Sequence, residues 1–161
     1  MNTTRTRTRG RLWLAALGTV VVLAVAAGVY GQVSAFSLGD LRGALRARGA
    51  TVRDAGAAST QTFRGAGHGL TVNGTHVAVY EYGTIIAAQY DAARVTPDGS
   101  TFRGGFGPLG GGGVVVDWIA TPHHFMKGRV IVTYIGDDGA IVGLLTGVLG
   151  PQFAGGGVDS Q

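Results

Sequence analysis

The chain has 161 residues, 45% of them hydrophobic and 14% charged, with a formal net charge of +4 and no cysteine. That length fits one modest domain, and the missing thiols exclude a disulfide framework, a thiolate metal site and a cysteine nucleophile. The basic excess invites nucleic acid, but Arg5, Arg7, Arg9 and Arg11 supply all of it: from residue 12 onward nine basic side chains face nine acidic ones, so the clustered cations that phosphate binding needs are not visible and nucleic acid is set aside as a partner.

Residues 1–11 read as a basic cytoplasmic segment. Residues 12–31, LWLAALGTVVVLAVAAGVYG, follow directly, and no charge appears from Leu12 to Gly39. Twenty helical residues at ~1.5 Å rise reach ~30 Å, the hydrocarbon thickness of a bilayer. Four Leu, Leu12 and Leu23 among them, and five Val contribute roughly 3–5 kcal/mol toward insertion. Trp13 and Tyr30 stand near the two ends, where amphipathic rings prefer the headgroup level. The reading is a transmembrane signal anchor in the cell membrane, N-terminus cytoplasmic by the positive-inside rule, with everything from about residue 35 outside. Cleavage after Ala35, in Val33-Ser34-Ala35, is the alternative and would secrete the remainder. The apolar run is longer than the ~7–15 residues usual in a cleaved signal.

An extracytoplasmic α+β domain is expected over 37–153. Ser37 and Asp40 form a capping-box pair that starts a helix. Leu38, Leu41 and Leu45 fall on one of its faces and Arg42 and Arg46 on another, a solvated face or a rim touching anionic headgroups; Gly49 ends it. Residues 51–67 read as a short strand, a loop and a second strand around Gln61-Thr62-Phe63. Asn73-Gly74 signals a type I′ hairpin. The second arm alternates, with Val77 and Val79 on one face and Ala78, Tyr80 and Tyr82 on the other. Thr84 caps a helix running to about Arg94, and Pro97-Asp98-Gly99 makes a turn.

Gly105, Gly107 and Gly110 satisfy G-x-G-x-x-G, but a dinucleotide site needs a helix after the motif, and Val114-Val115-Val116 reads as strand. A flexible loop is expected instead. Strand 114–120 then passes through a TPHHFMKG turn to strand 129–135. Asp138 caps a last helix with Ile141, Leu144, Leu145 and Val148 on one face, closed by Gly150 and Pro151. Residues 154–161 read as a flexible tail. Val77-x-Val79-x-x-x-Gly83 echoes Val130-x-Val132-x-x-x-Gly136, as a duplicated hairpin-plus-helix unit would.

Two adjacent histidines, His123 and His124, are the first place to look for chemistry. Neighbouring strand residues point to opposite faces, so the pair cannot easily share a metal. The metal candidates are His123 with Asp117 and Glu81, though the spacing matches no metal signature. No serine occupies a nucleophile elbow. The plainer reading makes Pro122 the end of a strand, the histidines polar turn residues, and Phe125 an inward-packing side chain.

The run of LRARGATV, VYEYG, Trp118-x-x-x-Pro122-His123, GRVIVTYIGDD and LGPQFAG resembles a group of small bacterial proteins of unknown function that carry an N-terminal membrane segment or lipoprotein signal. The likeness extends from about Leu41 to Gly155 and is densest from Trp118 onward. In that pattern Phe-Tyr follows the Pro-His pair. Here His124-Phe125 stands there, which on the resemblance favours His123 over His124 as a site residue. The resemblance implies location and fold, and no activity.

The expected fold is therefore α+β: one N-terminal transmembrane helix, then an antiparallel sheet of about four to six strands carrying two or three helices on one face. The expected function is a membrane-tethered, extracytoplasmic binding or accessory module without cofactor, in contact with the bilayer through residues 12–31 and with another envelope protein. The alternative is a small metal-dependent or acid–base enzyme centred on His123.

Overall fold

A computed structural model describes residues 36–104 and 112–157. The apolar run with Leu12, Trp13, Leu23 and Tyr30, the glycine motif at 105–110 and the last four residues lie outside the described part. Among the described residues no helix is long and apolar enough to cross a membrane.

Local chemistry sets each element. Helix α1 (Leu38–Ala47) starts at Ser37, whose side chain accepts from the Asp40 amide while Asp40 accepts from the Ser37 amide at 2.8 Å. This reciprocal capping box satisfies two donors the helix itself cannot. Leu38, Leu41 and Leu45 are buried, and Gly49 leaves the helix at φ 85°. Strand β1 (Val52–Asp54) follows, then β2 (Ala66–Val72) and β3 (Thr75–Glu81). Asn73 and Gly74 turn that hairpin at φ 51° and 89°, the left-handed pair that a type I′ turn requires. Helix α2 (Ile85–Ala92) is capped by Thr84, and β4 (Thr101–Phe102) pairs with β5 (Val114–Val115) in a small separate sheet. Strands β6 (Pro122–Lys127) and β7 (Val130–Ile135) form a second hairpin. Helix α3 (Gly139–Leu149) is capped by Asp138 and ended by Gly150 at φ 95°. Strand β8 (Ala154–Gly155) closes the chain order.

The α+β reading holds: the described residues form three helices and a six-stranded antiparallel sheet in the order β1-β2-β3-β7-β6-β8. Period-2 alternation divides its side chains. Val77, Val79, Val130, Val132, Phe125 and Leu70 pack against α1 and α3. Tyr80, Ile131 and Met126 point the other way, where Phe63, Phe102 and Ala88 and Ala92 of α2 make a second core. Two helices thus share one face and the third covers the opposite one, where sequence placed them all together. The Val-x-Val echo falls on β3 and β7, with Val79 paired to Val132, yet the helices that follow cover opposite faces.

Several strand expectations need correction. Gln61-Thr62-Phe63 is loop, and Phe63 is fully buried by the second core rather than by a ladder. The strand expected over 114–120 stops at Val115. Pro122 begins a strand instead of ending one, a position at which its missing N–H does no harm. Residues 154–155 pair with β6 and do not belong to a flexible tail.

Candidate functional site

The histidines are strand residues, not turn residues, and both are buried. Their faces are opposite, as alternation requires. His124 lies on the second core among the rings of Phe63, Phe102, Trp118 and Phe153. Its Nε2 is 3.0 Å from the Gly99 carbonyl and its Nδ1 3.0 Å from Thr133 Oγ1. A carbonyl only accepts, so Nε2 carries the proton and Nδ1 accepts from the hydroxyl. The neutral ring is thereby satisfied at both nitrogens, and burial pushes its pKa down to about 4. Trp118 Nε1–H donates to the same Gly99 carbonyl at 3.0 Å. Trp118, which opens the Trp-x-x-x-Pro-His stretch, and His124, which follows it, therefore clamp one turn.

His123 faces the first core and stacks on Tyr134, with centroids 5.7 Å apart and planes 17° apart. Nε2 meets the Gly136 carbonyl at 3.1 Å and Nδ1 the Gln152 side-chain amide at 2.8 Å. A metal ligand needs a free nitrogen lone pair, and both ring nitrogens have protein partners. The other two metal candidates lie elsewhere. Glu81 accepts from the Leu38 amide and pairs with Arg129, each at 3.1 Å. Asp117 is exposed in the loop after β5. Among the described residues no group of three or more His, Cys, Asp and Glu could hold a metal ion. His124 is the more deeply enclosed of the pair, at 0% exposure against 8%.

A cleft of about 650 Å³ opens between α2 and the ends of β2 and β3, lined by Gly65, Ala66, Tyr82, Ile86 and Tyr90. Behind it is a charge network that the sequence reading did not single out. Asp91 is 1% exposed. Its carboxylate accepts from Tyr82 Oη at 2.8 Å, the Arg64 amide at 2.7 Å and Arg94 Nη1 at 2.7 Å. Arg94 also donates to the carbonyls of Arg103 and Gly104. Each charge meets its opposite and its lone pairs or protons are used, the condition for keeping ions out of water. Burial, and then Asp91 beside it, pushes the Tyr82 hydroxyl far above the ordinary phenol range, so it stays a neutral donor. Gly65 makes room for this ring: a Cβ there would stand 2.9 Å from Tyr82. The signal available in sequence was Asp91 with Arg94 three residues on, in a helix otherwise nearly free of charge.

The cleft wall is apolar and open. Ile86 is 78% exposed and Tyr90 64%, and they are one helical turn apart on the same face. Arg64 lies over the Tyr90 ring, 5.9 Å from its centroid. The polar floor is internally neutralised, so this surface suits an apolar or aromatic side chain. No protein-family model, curated protein or solved structure matches the chain.

Proposed function

We propose that the chain is a membrane-tethered, extracytoplasmic module that binds another envelope protein and performs no catalysis of its own. The tether is the uncharged run 12–31, with the arginines before it held in the cytoplasm. The observation that carries the binding reading is the Ile86–Tyr90 wall. Two large apolar side chains stand in solvent beside a cleft whose ionic groups are already paired. Fully burying an Ile or an aromatic side chain is worth roughly 1.5–3 kcal/mol, a gain that a partner's side chain in the cleft would realise. Three of the buried polar groups that could do chemistry, His123, His124 and Asp91, are engaged in holding the fold.

The test uses a photo-crosslinking residue at position 86 in living cells, with one at the fully exposed Ile119 as the reference. A discrete adduct at 86 that disappears when Tyr90→Ala is added supports the reading. An adduct pattern at 86 matching that at 119, or indifferent to Tyr90→Ala, overturns the cleft as the binding surface. Orientation has its own check: protease added to intact spheroplasts should digest the domain, and full protection would reverse the topology.

A further inference from the structure

The point where the chain enters the described fold carries a cationic patch of its own. Phe36 is packed against the β6–β7 turn, with its carbonyl accepting from the Arg129 amide at 3.3 Å. Gly128, at φ 57°, is what permits this, since a Cβ there would lie 2.8 Å from that of Phe36. Lys127 Nζ sits 4.8 Å from the centroid of the Phe36 ring and donates to the Val148 carbonyl at 2.7 Å. Arg48 lies against Gly147, the residue before Val148, where any side chain would strike its guanidinium. Lys127 and Arg48 thus both reach the last turn of α3, and Lys127 lies over Phe36. Both are exposed, and neither has a carboxylate partner among the described residues.

Of the arginine pair suggested by helical spacing, Arg46 is exposed and donates to the Val52 carbonyl at 3.2 Å. Arg42 is paired with Asp54, which leaves it poorly placed to meet an anion. We infer that the patch of Phe36, Arg48 and Lys127 docks the domain onto the anionic phospholipid headgroups of the membrane that anchors it. This rests on the tethered reading above. From Gly31 to Phe36 the chain can reach at most about 18 Å, so the end bearing Phe36 cannot move far from the headgroups. Bound there, each cation falls within about a Debye length of roughly 8–10 Å of anionic lipid and is attracted by it. A phenylalanine flanked by basic side chains can also bury its ring at the headgroup–acyl boundary while the cations stay in water. The bond from Lys127 to the Val148 carbonyl, near the end of α3, fixes that cation without neutralising it.

A chain with no cysteine accepts a single label cleanly. Full-length Thr146→Cys, labelled beside the patch, and full-length Ile119→Cys, the reference, are reconstituted in phosphatidylcholine vesicles with or without phosphatidylglycerol. The vesicles contain a headgroup-attached quencher. Quenching at 146 should be several-fold stronger with phosphatidylglycerol. It should fall to the phosphatidylcholine level in high salt or in the Arg48→Gln, Lys127→Gln variant, while the label at 119 responds alike in both lipids. Quenching at 146 that is absent, or equal in the two lipids, overturns the inference. Alkaline carbonate washing of the same vesicles separates the two readings. A retained chain with an unquenched label at 146 sinks the docking alone, and a released chain sinks the tether together with it.

Discussion

Protonating the imidazole at position 124 would place a cation among Phe63, Phe102, Trp118 and Phe153, with its Nδ1 proton aimed at a hydroxyl that is at present the donor. Burial lowers the pKa from 6.5 to about 4, and the Gly99 carbonyl, which favours the charged ring, opposes this only in part. In the unfolded chain the imidazole regains its ordinary value. Between those two values the unfolded state binds a proton that the folded state refuses, so stability falls as the pH falls. The contribution is complete above about pH 6.5, and about 3 kcal/mol is lost by about pH 4. Urea unfolding from about pH 7.5 down to about pH 4.5 should show the midpoint dropping through this window. His124→Asn should be less stable at neutral pH and show a flatter profile. Equal slopes for the two proteins would mean that another group titrates. Asp40 and Asp98 are exposed carboxylates held below the usual range by Ser37 and Thr96. Their contributions are lost only at lower pH and do not blur the window.

At the scale of elements, what was legible in the sequence is what short-range chemistry decides. Ser37 with Asp40, Thr84, Asp138, Asn73-Gly74 and Gly150 each act on residues within a turn, and each stands where its type predicts. Strand β6 was not legible, because its two histidines are made tolerable inside by Gly99, Thr133, Gly136 and Gln152, partners 9 to 29 residues away. Helix α2 misleads for a related reason. By periodicity Ile86 and Tyr90 form its apolar stripe, yet Ala88, Asp91 and Ala92 are the residues inside. The paired Arg94, Tyr82 and Arg64 amide make the buried aspartate tolerable and leave the apolar stripe outside. Strand β8 was hidden by glycines that read as a tail. Gly155 has φ 85° and lies opposite His123, and a Cβ there would collide with the Pro122 carbonyl. Gly155→Ala should therefore unpair β8 and cost about 2 kcal/mol, combining left-handed strain with overpacking. Hydrogen exchange at the Phe153 and Gly156 amides, which donate to His124 and Pro122, should quicken far more than at β3. Unchanged protection would show that β8 stays paired despite the added Cβ.

Across the whole domain, the two cores are built on one ladder. Val77, Val79, Val130 and Val132 serve the α1–α3 face, while Tyr80 and Ile131, in between on the same strands, serve the other. One face cannot loosen without disturbing the pairing of β3 with β7 that holds the other in register. Single-transition unfolding follows, and separate probes on the two faces can test it. Trp118 lies on the second core, and in a Trp13→Phe background it is the only tryptophan left in the chain. Leu145 is fully buried on the opposite face, in α3. Leu145→Ala removes a core side chain at a cost of about 2–5 kcal/mol. Trp118 fluorescence and far-ultraviolet circular dichroism should both shift to the lower midpoint, by equal amounts and with coincident curves. If the fluorescence transition stayed in place while the helical signal moved, the faces would be independent folding units. The clamp of Trp118 and His124 on Gly99 would then have to hold the second core without support from the shared ladder.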